Sequence, residues 1–292
     1  MNQSFRPRRS VLYLPGSNAR AIEKARTLDA DAIILDLEDA VAPDAKQTAR
    51  AQVAEAVRAG GFGRRELIVR VNGIDTEWGE ADFEAIAPAG PDAILVPKIS
   101  TAEDVARYAF LVDAHGAPKT TGLWVMMETA LAMLNAGSIA AASRTTPRLS
   151  AFVMGTNDLA KETGAAMVAG RLPMLSWLST CLAAARAYGL AILDGVYNHL
   201  DDPDGFAAEC AEARDLGMNG KTLIHPNQVA PCNAAFMPSE AEIAWSRTIM
   251  AAFDQPENAG KGAIRIEGKM VERLHADMAR QLVAIADAVE SE

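Results

Sequence analysis

Short apolar runs alternate along the chain with longer amphipathic segments. This alternation is typical of βα units arranged around a parallel sheet. The runs that predict strands are 11–14, 32–37, 67–71, 93–96, 123–127, 149–154, 191–193 and 221–224. Eight such strands favour an α/β fold of the (β/α)₈ TIM-barrel type, because a doubly wound sheet usually has fewer strands and a Gly-rich phosphate-binding turn after the first one.

The strand pattern stops after residue 230, and two helical stretches follow at about 238–253 and 269–289. A loop rich in Gly, Pro and Asn separates them. We therefore expect a barrel domain over 1–230 and a C-terminal helical extension over 231–292. The last helix is expected either to pack on its own barrel or to reach a neighbouring subunit.

Charge and cysteine content narrow the classes of function. The 292 residues carry 28 Lys and Arg against 38 Asp and Glu, a formal net charge of −10. A surface of this sign repels nucleic acid and anionic lipid, so neither is an expected partner. The three cysteines are widely spaced and have no histidine at metal-ligand spacing, which argues against a disulfide framework or a zinc site. This cysteine usage fits a reducing cytoplasm, and neither a signal peptide nor an apolar span of about 20 residues is expected.

Polar residues collect where the predicted strands end, which is the active-site face of a (β/α)₈ barrel. Any one of them has an ordinary explanation as the point where a strand leaves the core, but a polar residue at every strand end is harder to explain this way. They are Tyr13, Asp36, Glu38, Asp39, Arg70, Asn72, Lys98, Glu128, Asn157, Asp158, Asp194, Tyr197 and His225.

Glu128 and Asp158 end neighbouring strands, one βα unit apart, so their carboxylates can meet. Oxygen ligands without nearby histidine or thiolate suit a hard cation, and Mg²⁺ often takes only one or two protein carboxylates. This pair predicts a Mg²⁺ site. The alternative is that Asp158 only caps the helix that follows it.

Arg70 lies among apolar strand residues and therefore needs an anion. Its planar guanidinium binds a carboxylate through two hydrogen bonds, so the partner is a neighbouring acid, a substrate carboxylate, or both. Glu38 and Asp39 are candidate partners for Arg70 or for metal-bound water. His225 is the histidine on the strand-end face, where a structural role is the simpler interpretation.

Eight segments in order carry a family resemblance. They are YLPGS (13–17), LDLEDAV (35–41), VRVNG (69–73), VPK (96–98), MET (127–129), GTND (155–158), GKTLIHPNQ (220–228) and GKMVE (268–272). Together they resemble the citrate lyase β-subunit family within the HpcH/HpaI aldolases, and they are also similar to malyl-CoA and citramalyl-CoA lyases. The resemblance covers about residues 8–289.

The resemblance implies a Mg²⁺-dependent carbon–carbon lyase that cleaves or forms a 3-hydroxyacyl thioester such as malyl-, citramalyl- or citryl-CoA. The products of cleavage are an acyl-CoA and a 2-oxo acid. The resemblance makes Glu128 and Asp158 the metal ligands, with Glu128 also near substrate, and makes Arg70 a catalytic contact to the substrate carboxylate or thioester. The residues it places around the substrate and coenzyme A are Tyr13, Lys24, Asn157 and Pro226.

In malyl-CoA lyases of this group, an aspartate in the C-terminal tail enters a neighbouring subunit's site as the acid/base. This chain has Glu272 at the matching position and Asn18 where some relatives have arginine. The resemblance thus implies a homo-oligomer, a trimer or hexamer, with Glu272 as the catalytic acid. The open alternatives are a subunit acting on an acyl carrier protein thioester, a pyruvate-type aldolase, and a non-catalytic protein that binds metal and oxo acid.

Overall fold

The computed structural model describes residues 6–290, so residues 1–5 and 291–292, the outer ends of the two expected domains, lie outside the described residues. The chain divides into two compact units. One spans Arg8–Phe236, and the other takes in the chain from Met237 onward.

The first unit is a closed barrel of eight parallel strands in chain order, which confirms the predicted TIM-barrel fold. Its strands are β1 Ser10–Pro15, β2 Ala32–Asp36, β3 Glu66–Arg70, β4 Ala93–Val96, β5 Gly122–Met127, β6 Leu149–Met154, β7 Ala191–Asp194 and β8 Gly220–Leu223. All eight predicted apolar runs are strands, and no strand end differs from its predicted bound by more than one residue.

Helices follow the strands around the outside of the barrel. They are α1 Ala19–Ala25, α2 Lys46–Ala59, α3 Gly79–Ile86, α4 Ala102–Ala114, α5 Ala130–Ala141, α6 Thr156–Thr163, α7 Leu175–Ala187, α8 Pro203–Leu216 and α9 Val229–Phe236. Because α9 belongs to the barrel unit, this unit ends at Phe236 rather than at residue 230. No helix in the described part of the chain is both long and apolar enough to cross a membrane.

The barrel closes between its first and last strands. Ser10, Val11 and Leu12 of β1 pair with Lys221, Thr222 and Leu223 of β8. At this seam a Cβ on Gly220 would lie 1.8 Å from the carbonyl oxygen of Arg8. Glycine is therefore required there, because any side chain would collide with backbone.

Alternate residues of each strand face opposite sides of the barrel wall. In β2, Ile33 and Leu35 pack toward the helices, whereas Ala32 and Ile34 pack inside the barrel with residues such as Trp124. The strands are buried on both faces, which explains their nearly continuous apolar sequences.

A buried ionic cluster lies on the helix side of β7 and β8. Lys221 donates to Asp194 (2.7 Å) and to Glu209 of α8 (2.6 Å), and Arg171 donates to Asp194 (2.6 Å). Burial raises the pKa of Asp194, but the two cations outweigh it and the pKa is lowered. Asp194, one of the polar strand-end residues, thus anchors Arg171 in the connection between α6 and α7.

The C-terminal unit contains two helices, α10 Glu240–Phe253 and α11 Arg273–Glu290, and a hairpin of β9 Ala263–Ile266 and β10 Lys269–Glu272. Ser239 and Glu242 form a reciprocal capping box at the start of α10. The apolar cluster of this unit joins α10 and α11 to the hairpin through residues such as Phe253 and Val271.

The prediction that a helix begins at about residue 269 was wrong, because residues 269–272 form β10. The hairpin turn is Glu267–Gly268, with φ of 48° and 82°. Two consecutive positive φ angles are typical of a two-residue hairpin turn, because they match the right-handed twist of the flanking strands.

Candidate active site at the carboxyl ends of the strands

The inward alternation of the strands continues into the polar residues that follow them. Val11 leads to Tyr13, Ile34 to Asp36, Ile68 to Arg70, and Met126 to Glu128. Each of these polar residues is two positions beyond an inward-facing apolar residue, so it faces the barrel interior too. The same register places Asp36 directly beside Arg70 on neighbouring strands.

Arg70 is bound by three acids. Its Nε and Nη2 each donate to Asp36 over 2.7 Å, and its Nη1 lies 2.8 Å from Glu38 and 3.4 Å from Asp39. The guanidinium carbon is 4.9 Å from the ring centre of Tyr13. Of the two kinds of partner predicted for Arg70, a neighbouring acid is present. Asp36 accepts both hydrogen bonds of the bidentate contact, and Nη1 faces Glu38 and Asp39.

Glu38 is a buried acid with an altered proton affinity. Burial raises the pKa of Glu38 to about 8, against a lowering effect of Arg70 and a further raising effect of Asp39 and Glu128. Its Oε2 lies beside Arg70 yet accepts no well-oriented hydrogen bond from the described part of the chain. Glu38 therefore changes protonation near neutral pH, whereas an ordinary glutamate does not.

Lys46 fixes the segment that carries these acids. Its ammonium donates to the carbonyl oxygens of Leu37 and Glu38, each at 2.7 Å, and to Asn72 Oδ1 at 2.8 Å. The side chain is buried and also lies over the ring of Trp78. Nothing in the sequence distinguishes Lys46 from an ordinary lysine at the start of a helix.

Glu128 and Asp158 are brought together as the sequence predicted, and they share one cation. Lys98 donates its backbone N–H to Glu128 Oε1 over 2.8 Å, and its ammonium lies 3.6 Å from the same oxygen while contacting Asp158 Oδ1. Glu128 is 1% exposed. Burial raises the pKa of Glu128, and Lys98 opposes this effect.

Lys98 adopts an unusual backbone conformation, with φ of 56°. A non-glycine residue in this left-handed region costs about 1–2 kcal/mol. The reversal turns both the N–H and the ammonium of Lys98 toward the two carboxylates. Burial lowers the pKa of Lys98, but its hydrogen bond to Asp158 and the charge of Glu128 raise it more.

Gly155 provides the space that Glu128 occupies. A Cβ at position 155 would lie 2.4 Å from Glu128 Cβ and 2.6 Å from Glu128 Oε2. Gly155 also takes the N-cap position of α6, so Asp158 lies inside the first helical turn and is not the N-cap residue. The alternative role of Asp158 as the cap is thereby excluded, and its carboxylate gains from the helix dipole instead.

Asp36, Arg70, Gly155 and Asp158 border a cavity of about 280 Å³, whereas Glu38, Lys98 and Glu128 lie outside its lining. Pockets for drug-sized ligands have roughly 300–1,000 Å³, so this volume suits a small organic acid. The lining includes Tyr13, Asp36, Asp39, Arg70, Met126, Thr156, Asn157, Asp158, Asn198 and Thr222. Two of the predicted substrate contacts, Tyr13 and Asn157, are among them, together with Arg70.

Asn157 exchanges side-chain hydrogen bonds with Asn198, at 2.7 and 3.3 Å. This amide pair joins the first turn of α6 to the loop after β7 at the rim of the cavity. Asn198 is not predicted from the sequence, because it follows its strand by several residues and is preceded by polar Tyr197.

The other predicted contacts lie outside the cavity lining. Lys24 is an exposed residue of α1, and Asn18 caps that helix by accepting from the N–H of Ala21 at 3.1 Å. Pro226 begins a 3₁₀ turn that His225 caps through its Nδ1. His225 thus has the structural role that the sequence favoured, while roles for Lys24 and Pro226 toward coenzyme A stay predictions.

Glu272 is the last residue of β10, in the C-terminal unit, and its side chain is exposed. Its backbone N–H donates to His275 Nδ1 over 2.9 Å, which fixes the start of α11. The predicted catalytic role of this carboxylate stays a prediction.

The donor set fits a magnesium ion. Within residues 6–290 no cluster of three or more His, Cys, Asp or Glu side chains could hold a metal ion. Glu128 and Asp158 nevertheless already share a monovalent cation, the Lys98 ammonium. Two carboxylates are a sufficient protein contribution for Mg²⁺, which completes its shell with water and substrate oxygens.

The chain is a closed (β/α)₈ barrel with a buried arginine and a carboxylate pair at its C-terminal face, where barrels of the TIM class carry their active sites. Residues 9–226 match the family model described as HpcH/HpaI aldolase/citrate lyase. The chain belongs to this enzyme family. Residues 172–289 also match the model of the C–C bond lyases of the TIM-barrel fold.

Three relatives illustrate the range of the family. A (3S)-malyl-CoA thioesterase of Cereibacter sphaeroides is 53% identical over 99% of this chain and 98% of its own length. An L-malyl-CoA/beta-methylmalyl-CoA lyase of the same species is 35% identical over 98% of this chain and 96% of its own. The protein CitE of Mycobacterium tuberculosis, crystallised with magnesium, acetoacetate and coenzyme A, is 28% identical with a TM-score of 0.74, covering 96% of this chain and 98% of that one.

Proposed function

We propose that this protein is a Mg²⁺-dependent enzyme that hydrolyses the thioester bond of a malyl-type coenzyme A thioester. The observation that carries this proposal is the 53% identity, over 99% of the chain, with a malyl-CoA thioesterase. Identity with the malyl-CoA lyase is only 35% over a similar span. The proposed reaction is hydrolysis rather than the carbon–carbon cleavage that the motifs implied, while the proposed substrate class is the same.

The cavity matches the acyl part of such a substrate. A malyl group offers a carboxylate and a hydroxyl oxygen close together, and these suit a site with an arginine and a dicarboxylate metal site. We assign Glu128 and Asp158 as the residues that hold Mg²⁺. The metal would supply Lewis-acid polarisation of substrate oxygens.

Arg70 contributes positive charge that is held in place. Because Asp36 takes Nε and Nη2, the guanidinium cannot rotate, and Nη1 keeps a fixed direction. Tyr13 packs against the guanidinium, and the Asn157 amide lies across the cavity. Such fixed polar groups orient a bound acid at little entropic cost.

The proposed hydrolysis consumes one molecule of water. The oxygen of water bonds to the thioester carbon, the carbon–sulfur bond breaks, and the thiolate receives the proton that water loses. The products are a carboxylic acid and the coenzyme A thiol. Glu38 is a suitable proton carrier beside Arg70, since its raised pKa of about 8 lets it take and release a proton near neutral pH.

Carbon–carbon cleavage is the second candidate, because residues 172–289 match the bond-lyase model. In this reaction the substrate hydroxyl loses its proton, the bond between the second and third carbons breaks, and its electrons pass to the thioester as an enolate. Protonation of the enolate carbon gives the acyl-CoA beside a 2-oxo acid. Glu272 is then the candidate acid.

One assay separates the two reactions. Purified protein with Mg²⁺ is incubated with malyl-CoA, and free thiol and 2-oxo acid are measured in the same sample. Hydrolysis releases one thiol per substrate consumed and no oxo acid. Cleavage releases glyoxylate with acetyl-CoA and no thiol. Parallel reactions with citramalyl- and citryl-CoA identify the preferred acyl group, and a chelator provides the metal-free control.

Turnover of free CoA thioesters would exclude dependence on an acyl carrier protein and also a non-catalytic role. A pyruvate-type aldolase would instead consume a free aldehyde without any thioester. We further propose a cytoplasmic homo-oligomer of three or six copies, which light scattering on the purified protein tests directly.

A further inference from the structure

We infer that Lys98 is a built-in counter-ion for the Glu128–Asp158 pair, and that its ammonium must leave this pair when Mg²⁺ binds. The inference rests on the proposed metal site and adds a residue that opposes metal binding. It would make loading of the site an exchange of one cation for another.

The contacts of Lys98 support this role. Its ammonium touches Asp158 Oδ1 and lies 3.6 Å from Glu128 Oε1, so it stands between the two carboxylates. Its N–H binds the same Glu128 oxygen at 2.8 Å. The positive φ of 56° is what allows one residue to direct both groups to this place. An ordinary strand residue at this position would point toward the helices.

The carboxylate pair needs a cation whether or not metal is present. Glu128 is 1% exposed, and a buried carboxylate beside a second one is strongly disfavoured without a partner. The barrel must therefore either fold around metal or carry its own positive charge. Lys98 provides that charge in the metal-free protein.

The two cations exclude each other because they would contact the same oxygens. Glu128 cannot move aside, since it is packed against Gly155. The Lys98 side chain is 48% exposed, and its flexible aliphatic stem lets the ammonium move out of the site. Lys98 is thus the partner that yields, and its departure subtracts from the affinity for Mg²⁺.

Removing the ammonium tests this exchange. Lys98→Met keeps the aliphatic stem and the backbone N–H. We expect Mg²⁺ to bind about tenfold more tightly, a typical coupling within a salt-bridge network. Without metal, the melting temperature should fall by about 3–5 °C, while the Mg²⁺-saturated proteins should melt alike. Thermodynamic linkage requires the gain in the free energy of Mg²⁺ binding to match the loss of stability in the metal-free variant.

Lys161→Met is the matched control. Lys161 is an exposed residue of α6, one turn after Asp158, so it carries the same charge close to the site without standing between the carboxylates. Its loss should change the Mg²⁺ affinity by less than about twofold. An equal gain in Mg²⁺ affinity in Lys98→Met and Lys161→Met would mean that lysine charge acts only at long range. This result would overturn the inference.

Calorimetric titration also separates this inference from the proposed function. If the parent protein and both variants bind no Mg²⁺, the proposed metal site falls and the inference with it. If the parent binds Mg²⁺ and Lys98→Met binds it equally or more weakly, the inference alone is overturned.

Amine labelling followed by mass spectrometry provides a second readout. Saturating Mg²⁺ should increase the labelling rate of Lys98 severalfold and leave that of Lys161 unchanged. Unchanged labelling of Lys98 on metal binding would show that its ammonium does not leave the pair.

Discussion

Gly155 and Glu128 lie so close together that the Glu128 side chain occupies the space that a side chain at position 155 would need. A Cβ on Gly155 would lie 2.4 Å from Glu128 Cβ. The backbone at the end of β6 therefore determines where a carboxylate from β5 can stand. The glycine of the GTND segment has a steric reason to be there, independent of any turn.

Gly155→Ala should consequently displace Glu128 and weaken Mg²⁺ binding by about 10- to 100-fold, as is usual when the support of a ligand is changed. Gly137→Ala is the control, since nothing lies within 4 Å of a Cβ there in the middle of α5. It should stabilise the protein by about 0.5–1 kcal/mol and leave metal binding intact. Equal Mg²⁺ affinity in both variants would contradict the assignment of Glu128.

Glu128→Gln and Asp158→Asn should each abolish measurable Mg²⁺ binding while the fold is retained. Each replaces an anionic oxygen by an amide at nearly constant volume, which a hard cation tolerates poorly. Calorimetric titration gives the affinity, and circular dichroism checks the fold. Glu162→Gln, on the exposed face of α6, is the control for loss of one nearby charge.

Arg70→Lys should lower turnover by about 10- to 100-fold, because lysine keeps the charge but replaces the bidentate contact with Asp36 by a single one. Binding of the malyl-type substrate should weaken in parallel. Arg50→Lys breaks a comparable ion pair, with Asp82 at 2.6 Å, away from the cavity lining. Steady-state kinetics should thus separate the two variants, and parent-like turnover in Arg70→Lys would reduce Arg70 to a structural role.

Glu38 should make the metal-free protein less stable as the pH rises. Its pKa is raised from an ordinary 4.5 to about 8, so the folded protein holds a proton that the unfolded chain releases. Its contribution is complete below pH 4.5 and is lost progressively up to about pH 8. Across that window the free energy of unfolding should fall by up to about 1.4 kcal/mol per pH unit.

Glu38→Gln carries an amide that resembles the protonated acid and should remove this slope. Denaturant unfolding at several pH values with a chelator present measures the difference between the parent and the variant. If the free energy of unfolding changed with pH in the same way in the parent and in Glu38→Gln, Glu38 would be ionised throughout this pH range.

Glu272→Gln should lower turnover strongly and leave the Mg²⁺ affinity unchanged, if the role implied by the sequence motif is correct. Co-assembly with Asp158→Asn then tests whether this acid acts in a neighbouring copy. Mixed oligomers should regain partial activity, since some copies would combine an intact metal site with an intact Glu272. No recovery in verified mixed oligomers would exclude a role between subunits, and Glu272→Asp would show whether a shorter acid changes the rate.

The barrel was predictable from the sequence because its strands are buried on both faces. Runs such as 93–96 and 149–154 are almost purely apolar, and the structure gives them those bounds. The hairpin of the C-terminal unit was not predicted. Its strands are four residues long, and β10 contains exposed Lys269 and Met270, so its short alternation does not distinguish it from the start of a helix.

The site was predictable as far as strand ends reveal it. Arg70 and Glu128 follow from the strand bounds, because polar residues two positions after an inward-facing residue also point into the barrel. Asp158 follows from the order of the βα units, which places the start of α6 at the same end of the barrel. The role of Lys98 was hidden, since the normal alternation would turn it outward and only the positive φ reverses it. Backbone conformations of this kind leave no simple pattern in a sequence.

The seam between β1 and β8 has a consequence for how the chain folds. Because the strands pair in chain order, the last contact of the barrel joins its two most distant segments, so closure depends on a contact of very long sequence separation. During synthesis, the edges of β1 and of the newest strand stay open until Gly220–Leu223 has been made. A chain interrupted before β8 would expose two unpaired parallel edges, which is a state prone to aggregation.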